Sequence, residues 1–593
     1  MVSKAFLGLL PLISRLNPLL PAARAEGERL ITPDLDSFIE SVIQQWDLSG
    51  LAIGLVRRDA TSLTGWYQEF ASYGAAKADG TLVTPDTVFA IGSNSKLFAA
   101  LATGLLISNE TLKRERGVEL SWSTKAKKVY GDLWGLWDEE ASNGTSLQDM
   151  LSHRTGLPGH DFSNVKRNDS LVNKIATLRF LRPSAEFRET WQYNNLMYDS
   201  LAYLPQLSVN QSFSSYVEQH ILQPLGIGRG LQSGFDGVKK PIVPLFVKPG
   251  NDYDLAGSAG VLSSARDLTV WVATLLTMGN HPFRNQTVIP SEVVQRAATG
   301  VSVVPDDIFG TFPEISTTAY GAGQFIYSYR GHSIVEHAGD VPGFDSWVSR
   351  LPNDNLGIVL LCNELALNAL NAIKWRLIDE IVIRSALPDA PLIDWVKRYQ
   401  ALENSDDDKV TPRPKHPIPP SLPLTYLQQR KYSHPAYGTL QPCLVPSSLL
   451  PGPSATHVAN IDPCRATLDS LSVRHILNMT DLSVPTLIVP LDGVWTTHLR
   501  LSHFSGNLFN TTVIWANAQA RLDAGLGSVD NGVWEDDGDV VITASPANVL
   551  IEWVIDGEEG SALKGNAWAM GPDASEPVGS GRESAEVWFS RIA

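Results

Sequence analysis

The residues Phe89-Ala90-Ile91-Gly92-Ser93-Asn94-Ser95-Lys96-Leu97-Phe98-Ala99-Ala100 decide how the whole chain is interpreted. An apolar approach and a glycine lead to a serine, and the Ala- and Leu-rich run over 96–107 predicts a helix. Ser93 and Lys96 are three positions apart, so the first helical turn places both side chains on one face. A lysine that is partly desolvated, and therefore neutral, can act as the base that a serine nucleophile needs.

The Ser-x-x-Lys tetrapeptide is weak on its own, because a serine at the start of a helix is most often an ordinary N-cap. The helix start would also offer N–H groups and a partial positive charge to an oxyanion that forms at the serine. The remainder of the chain therefore has to decide between capping and catalysis.

Length and composition limit the class of protein. A chain of 593 residues predicts two or more domains. Its 43% hydrophobic and 19% charged residues are typical of ordered domains with a full core. The net charge of −16 argues against a general nucleic-acid binder, so no nucleic-acid partner is expected.

The N-terminus has the layout of a secretory signal peptide over residues 1–25. Lys4 precedes an apolar run that ends at Ile13, and Ala23-Arg24-Ala25 offers a small-x-small cleavage site. The alternative is an amphipathic N-terminal helix, because Arg15 interrupts the apolar segment. We expect secretion, and no other apolar run is long enough to span a bilayer.

Acceptor sites and cysteines agree with secretion. Cys443 and Cys464 lie close in the sequence and could form one disulfide, whereas Cys362 is predicted to be a buried thiol in a strand. Asn-x-Ser/Thr motifs predict N-glycosylation at seven positions: Asn109, Asn143, Asn168, Asn210, Asn285, Asn478 and Asn510.

Periodic segments predict a mixed α/β (α+β) fold for the first domain. Residues 32–45 are predicted to be a helix, and the long middle of the domain reads as helices and loops. Strands are expected before and after that middle in the sequence, so one antiparallel sheet is built from both ends of the domain. Helices are expected to flank this sheet, and the middle of the domain forms an all-helical insert. The predicted strands are 51–56, 68–73, 323–329, 346–351 and 356–362.

Three further positions could carry chemistry. Tyr193 and Asn195 are two apart, so an extended stretch would place both on one face. Beside a lysine ammonium, the phenolate form of Tyr193 would be favoured and could relay protons, although a core tyrosine is the plainer interpretation. His153 could be a base, but we expect a structural ring bonded to the backbone. His337 lies between the predicted strands 323–329 and 346–351, and a strand residue with a satisfied ring is its plainer interpretation. A glycine near it, Gly339, would let the edge of a strand approach a bound substrate closely.

Taken in order, these motifs resemble the class C β-lactamase family, in the branch of esterases, D-amino-acid peptidases and acyltransferases, and imply its β-lactamase/transpeptidase-like fold. The resemblance covers about residues 30–385 and is closest to secreted, fungal-type β-lactamase-like proteins. It is carried by Ser93-x-x-Lys96, Leu-Ser-His153-x-Thr-Gly-Leu, Tyr193-x-Asn195, Pro224-Leu225-Gly226, the Ala-Gly-x-x-Gly loop at 256–260 and His337-x-Gly339.

The resemblance implies a role for each matching residue. Ser93 would be the acyl-forming nucleophile, and Lys96 and Tyr193 would share general base and acid duty. Asn195 would orient the substrate or Lys96, and His337 would line the cleft as part of the third motif.

The third motif departs from the lactamase pattern. His337-x-Gly339 stands where true lactamases carry Lys-Thr-Gly, so the cation that would pair with a β-lactam carboxylate is missing. The family's oxyanion hole would fall on the backbone N–H groups of Ser93 and Asp340. Many relatives have a small residue where Asp340 stands, so we expect its carboxylate to face away from the oxyanion.

A second domain is expected after the hydrolase domain at 30–400. Residues 401–423 read as a charged, Pro-rich linker. Residues 424–593 contain short alternating runs, among them 540–542 and 549–554, which predict an all-β sandwich or small barrel.

The predicted function is a serine hydrolase that cleaves an ester or amide of a small molecule or peptide through an acyl-enzyme. The alternatives are an acyltransferase in a biosynthetic pathway and a non-catalytic scaffold or binding protein. No histidine pair has the spacing of a zinc site, so no metal and no cofactor are expected, and the oligomeric state is left open.

Overall fold

The computed structural model describes residues 29–77, 80–117, 119–163, 170–228, 255–305, 312–341, 343–407, 412–446, 463–478, 480–491, 496–516, 542–554, 559–565 and 577–592. The predicted signal peptide and the acceptor Asn168 lie outside these residues.

The first domain is built on one eight-stranded antiparallel sheet, as predicted. Its strand order is β2-β1-β10-β9-β8-β7-β6-β5. The first strand pairs with the last, Leu51 opposite Cys362, so the two ends of the domain lie side by side in the sheet. The strands are β1 (Gly50–Arg58), β2 (Trp66–Gly74), β5 (Ser302–Val303), β6 (Ala319–Tyr320), β7 (Phe325–Tyr329), β8 (His332–Val341), β9 (Phe344–Leu351) and β10 (Leu356–Cys362), with β3 (Phe89–Ala90) and β4 (Leu262–Ser263) in a separate two-stranded ribbon.

Helices cover both faces of this sheet. The Pro33–Gln45 and Leu367–Ile378 helices pack together on one face. The Ala265–Leu276 helix packs on the other face, against β1 and β10. Beside it in the same core lies the nucleophile helix (Ser95–Ile107), which is buried along almost its whole length. Because apolar side chains of β1 face both layers, the sheet separates two buried cores.

The middle of the domain is an all-helical insert within the described residues, as expected. Ser146 and Asp149 form a capping box at one of its helices, which fixes the chain direction before His153. The helices are Glu110–Arg116, Ala126–Tyr130, Glu139–Gly144, Leu147–Leu151, Leu171–Thr177, Asn195–Ala202, Leu204–Val209, Phe213–Val217 and Gln223–Leu225. Ser291–Ala297 follows later, and a π-turn joins Leu367–Ile378 to Arg384–Ala386.

The predicted linker at 401–423 is partly wrong. The Trp395–Asp407 helix continues into its first residues, and its start is anchored because Trp395 is buried in the first domain. Further on, Ile418 donates its N–H to Ser505 Oγ and accepts from the N–H of Gly506. The Pro-rich stretch is therefore docked along a hairpin of the second domain and is not a free spacer.

Within the described residues, the second domain is a single antiparallel sheet of nine strands, in the order β12-β11-β19-β18-β17-β16-β15-β14-β13. Its edge strands β12 and β13 are joined by only Gln441 and Pro442, so the sheet curls into a half-barrel and not into a two-sheet sandwich. The strands are β11 (Tyr432–His434), β12 (Gly438–Leu440), β13 (Cys443–Leu444), β14 (Thr486–Pro490), β15 (His498–Ser505), β16 (Leu508–Ala516), β17 (Ile542–Val554), β18 (Gly560–Lys564) and β19 (Val587–Arg591), with helices Leu424–Gln428, Pro463–Asp469 and Leu471–Asn478.

The cysteines are placed as predicted. Cys443 and Cys464 form a disulfide that joins β13 to the Pro463–Asp469 helix, with the Cα atoms 5.2 Å apart. Cys362 is a buried free thiol in β10, and burial raises its pKa to about 12.

The acceptor asparagines differ in accessibility. The side chains that are exposed are those of Asn143, Asn210, Asn285 and Asn478. Asn109 is half-buried and caps a helix, and Asn510 lies in β16 between two paired strands. None of the described helices is both long enough and apolar enough to cross a membrane.

Candidate active site

The nucleophile turn forms because Gly92 adopts a left-handed backbone, with φ of +51°. Gly92–Asn94 is a single 3₁₀ turn, and the nucleophile helix follows directly at Ser95. Neither the turn nor the helix has a side-chain N-cap hydrogen bond. Ser93 is therefore not an ordinary N-cap, and its hydroxyl is available for other partners.

The hydroxyl of Ser93 lies between Lys96 and Tyr193. Lys96 Nζ is 3.0 Å from Ser93 Oγ, and the Tyr193 hydroxyl donates to Ser93 Oγ over 2.7 Å. The lysine comes from the same helix, whereas the tyrosine comes from the helical insert 100 residues further along the chain. The arrangement gives one oxygen a basic nitrogen on one side and a phenol donor on the other.

The amine of Lys96 is fully buried and has a complete set of partners. Its Nζ also donates to Asn195 Oδ1 over 2.6 Å and to the Ser258 carbonyl over 3.1 Å. Burial lowers the pKa of Lys96 to about 7, although Asp199 and Asp161 act in the opposite direction. A neutral amine keeps two N–H bonds, to Asn195 and Ser258, and turns its lone pair towards Ser93. Lys96 is therefore suited to accept a proton from Ser93 at neutral pH.

Tyr193 does not fit the predicted phenolate. Burial raises the pKa of Tyr193 well above its usual value, so the phenol remains protonated. Lys96 Nζ lies 4.6 Å from the centroid of the Tyr193 ring, over its face and not beside its oxygen. The ammonium form of Lys96 would thus interact with the π system, and Tyr193 acts in this geometry as a hydrogen-bond donor.

Asn195 lies at the start of a helix and not in an extended stretch. Asn194 is the N-cap of the Asn195–Ala202 helix, and its side chain accepts from the N–H of Met197. Asn195 presents its oxygen to Lys96 and its Nδ2 to Asp161 Oδ1, over 2.8 Å. The oxygen of this amide therefore accepts from Lys96, and its nitrogen donates to a carboxylate.

Strand β8 runs against the nucleophile turn, and two glycines allow this approach. A Cβ added at Gly92 would lie 2.8 Å from the backbone nitrogen of Asp340, and one at Gly339 would clash with the carbonyl oxygen of Ile91. We expected Gly339 to let this strand approach the substrate closely. In the structure, the segment that lies against Gly339 is instead the turn that carries Ser93. The backbone N–H groups of Ser93 and Asp340 are thereby brought to one edge of the site.

Strand alternation places the Asp340 side chain on the face opposite to that of Gly339. It is exposed and lies directly across the ladder from Asp345, which is buried. The N–H of Ala366 donates to Asp345 Oδ2, yet burial and the Asp340 charge raise the pKa of Asp345 to about 8. Repulsion within this pair is relieved by a proton on Asp345.

His153 and His337 both form hydrogen bonds within the fold, His337 through both ring nitrogens and His153 through Nδ1. Asn194 N–H donates to His153 Nδ1 over 3.0 Å, the structural role expected for His153. His337 bonds to the hydroxyl of Tyr320 through Nε2 and to the Ala338 carbonyl through Nδ1. Burial lowers the pKa of His337 to about 3, so it is neutral and supplies no cation to the third motif.

Several buried groups behind Lys96 escaped sequence analysis. Asp199 Oδ1 accepts from the N–H of Ser258 over 3.1 Å, and Lys174 donates to Asp199 Oδ2 over 3.0 Å. This ion pair fixes the loop whose carbonyl contacts Lys96. Asp199 follows Asn195 by four positions in the same helix, which is the one local signal that could have identified it.

The comparisons with known proteins agree with this geometry. The family model described as Beta-lactamase matches residues 35–383. The unguisins hydrolase ungD of Aspergillus violaceofuscus (strain CBS 115571) is 25% identical over 448 residues, which cover 69% of this chain and 76% of that protein. The unguisins hydrolase ungD' of Aspergillus campestris (strain IBT 28561) is 27% identical over 440 residues, with coverages of 69% and 77%.

Among solved structures, the octameric penicillin-binding protein homologue from Pyrococcus abyssi aligns with a TM-score of 0.47 and 15% identity, over 89% of this chain and 97% of that one. A likeness at that level carries no argument about this chain. The family model, in contrast, covers more than half of the sequence and includes Ser93, Lys96, Tyr193 and His337. The chain belongs to the Beta-lactamase family.

Proposed function

We propose that this serine hydrolase cleaves an ester or amide bond through an acyl-enzyme on Ser93. The observation that carries the proposal is the Ser93 hydroxyl held 3.0 Å from a buried Lys96 whose pKa is lowered to about 7. A neutral lysine beside a serine is the pairing that nucleophilic catalysis needs, and a scaffold would have no use for it.

The chemical steps follow from the hydrogen bonds. Ser93 Oγ attacks the substrate carbonyl while its proton passes to Lys96 Nζ. The oxyanion forms near the N–H groups of Ser93 and Asp340, which stabilise the negative charge. Tyr193 is placed to transfer a proton to the leaving group, and water then hydrolyses the acyl-enzyme with the same groups in reverse. Asn195 and the Ser258 carbonyl hold the amine in place throughout.

The substrate class proposed is a peptide or a small molecule with an accessible ester or amide. The neutral state of His337 supports a substrate without a carboxylate at the third motif, in contrast to a β-lactam. Two relatives bear the name unguisins hydrolase, which supports peptide-like amides as the first substrates to test. An acyltransferase would use the same acyl-enzyme with an alcohol or amine in place of water, so product analysis separates the two reactions.

The first test is intact mass after incubation with a fluorophosphonate probe. We expect one adduct on the wild type, none on Ser93→Ala, and a full adduct on Ser108→Ala, which removes a hydroxyl at the other end of the same helix. A folded wild-type protein that forms no adduct would overturn the hydrolase proposal in favour of a scaffold.

We also propose that the protein is secreted and N-glycosylated. The leader-like residues 1–25, the Cys443–Cys464 disulfide and the exposed acceptor asparagines support this. Expression in a eukaryotic host should deliver protein to the medium with a mass that falls after glycosidase treatment. Retention in the cytoplasm with residues 1–25 intact would contradict the proposal.

A further inference from the structure

The second domain contacts the active site through one short segment of the insert. We call residues 157–163 the bridge segment. On its inner side, Asn194 Nδ2 donates to the carbonyls of Leu157 and Pro158 over 3.1 and 2.6 Å. Asp161 of the same segment accepts from Asn195, the residue that holds Lys96. The position of this segment therefore affects the base directly.

On its outer side, the bridge segment is held by the half-barrel. His160 is buried, and its Nδ1 lies 2.6 Å from the hydroxyl of Tyr437, which follows it by 277 residues. His160 Nε2 lies 2.8 Å from the Arg182 carbonyl, which can only accept, so Nε2 carries the hydrogen and Nδ1 accepts from Tyr437. The tautomer of His160 is thus fixed by one bond from each domain.

Two further contacts join the first domain to the half-barrel here, one from the bridge segment itself and one from Arg182, whose carbonyl bonds to His160. Phe162 lines a small apolar cavity together with Tyr437, Leu440 and Phe589 of the second domain. The guanidinium of Arg182 donates to the carbonyls of Glu583 and Ala585, over 2.9 and 2.8 Å. His160 itself has φ of +47°, a left-handed backbone that the surrounding contacts must maintain.

We propose that Tyr437 and His160 are positioning residues for the base, so that the half-barrel is a working part of the active site and not an independent module. Tyr437 fixes His160, the adjoining Asp161 is held against Asn195, and Asn195 orients Lys96. This inference rests on the proposed function, because it assigns Lys96 the role of base.

The electrostatic consequence has a definite sign. The charged groups that act on Lys96 are Asp161 and Asp199, which both raise its pKa against the effect of burial. His153 and His337, on neighbouring elements, are held neutral, and the Tyr193 phenol remains protonated. A displaced Asp161 therefore leaves Lys96 with a lower pKa, and with an amine that is less well aligned on Ser93.

The test compares Tyr437→Phe with Tyr432→Phe. Tyr432 is a matched control, because it is a buried tyrosine of the same domain whose hydroxyl bonds to Glu559 and not to the first domain. For Tyr437→Phe we expect kcat to fall about fivefold, as for one lost hydrogen bond, with little change in KM. The acid limb of its pH–rate profile should move to lower pH, and Asp161→Asn should move it in the same direction. Tyr432→Phe should leave both unchanged.

A second pair of variants tests His160. Asparagine can accept from Tyr437 and tolerates a left-handed backbone, so His160→Asn should retain more of kcat than His160→Ala. Equal losses in these two variants, or an unmoved acid limb in both Tyr437→Phe and Asp161→Asn, would overturn the proposal.

A readout without turnover separates this inference from the proposed function. Lysine-selective ¹³C NMR of the full chain should show the Lys96 pKa lower in Tyr437→Phe and Asp161→Asn than in the wild type or in Tyr432→Phe. A missing fluorophosphonate adduct on the wild type would defeat the proposed function alone. An unchanged Lys96 pKa in these variants would defeat the positioning role even where Ser93 is acylated.

Discussion

Two of the lysines in the described part of the chain are at most 1% exposed, and their surroundings differ in one respect. Lys96 is 0% exposed and bonds to three uncharged oxygens, of Ser93, Asn195 and Ser258. Lys374 is 1% exposed and bonds to the Glu336 carboxylate over 2.8 Å. Its amine also lies over the rings of Trp347 and Trp375, at 4.0 and 3.9 Å.

Burial alone does not make a lysine a base. Desolvation lowers the pKa of both amines, to about 7 for Lys96 and about 8 for Lys374. Both amines lie over aromatic rings, so the direct Glu336 carboxylate is what favours the ammonium form of Lys374 over that of Lys96. Around Lys96 the carboxylates of Asp161 and Asp199 act from behind Asn195 and Ser258, so the amine can lose its proton towards a hydroxyl. The identity of the nearest partner separates a catalytic lysine from a structural one.

The largest expected effect is on acylation. Lys96→Met removes the base and keeps an apolar side chain of similar length in the cavity. We expect the rate of Ser93 acylation by a p-nitrophenyl ester to fall by about 10²- to 10⁴-fold, the usual contribution of a general base. Stopped-flow release of p-nitrophenol measures it, with thermal unfolding as the control for folding. A rate near the wild-type value would contradict the distinction between the two lysines, because Lys96 would then not be the base for Ser93.

Lys374→Met should act on stability instead. It leaves the Glu336 carboxylate buried and unpaired, which typically lowers the free energy of unfolding by about 3–5 kcal/mol. Denaturant unfolding measures that loss, and fluorophosphonate labelling below the transition should remain complete. Lost labelling in a folded Lys374→Met protein would mean that this ion pair also serves the active site.

A double variant sharpens the interpretation of that loss. In Lys374→Met with Glu336→Gln no charge is left behind. The amide oxygen can accept from one of the two hydroxyls that bond to Glu336, those of Tyr327 and Ser349, and the amide NH2 can donate to the other. We expect the double variant to recover most of the lost stability, to within about 1–2 kcal/mol of the wild type. Failure to recover would show that packing, and not the unpaired charge, carries the effect.

The smallest effect is a pH dependence that only one of the lysines should control. The pKa of Lys96 is lowered to about 7, so the amine gains its proton and loses its function as pH falls through 7. We expect kcat/KM to drop about tenfold per unit below that pH and to level off above it. Lys374→Met should leave this limb in place, and a shifted limb in that variant would contradict the assignment.

Local pattern predicted the parts of the fold that depend on neighbours in sequence. Apolar periodicity and the Ala-rich run located the nucleophile helix, and the strand pattern located β1, β2, β7, β9 and β10 but not β8. Two strands predicted at 540–542 and 549–554 are one long strand, Ile542–Val554, because Pro546 lies where β16 shifts its register with a bulge. A linker was predicted at 401–423, but its first residues belong to the Trp395–Asp407 helix. Their polar composition gave no sign of this, because the buried residue that anchors the helix, Trp395, lies before the predicted linker.

Protonation states were less predictable than residue identities. Tyr193 was identified beside Lys96, but its phenol was expected to ionise. The ring packs against His153 and Trp191, and the desolvation that results outweighs the lysine charge. Asp161, Asp199 and Tyr437 carry no motif of their own, so their links to Lys96 were not foreseen.

The sequence pattern was enough to predict the nucleophile helix, the order of the motifs and the sheet built from both ends, and it suggested that Cys443 and Cys464 could pair. Each of these depends on spacing or periodicity along the chain, which a sequence displays directly. The folded protein was needed to see which amine is neutral, which phenol is protonated and which half-barrel residue contacts the segment behind Lys96. Those properties depend on desolvation and on contacts between residues that are far apart in sequence, such as His160 and Tyr437, which are 277 positions apart. The pattern of neighbouring residues does not contain that information.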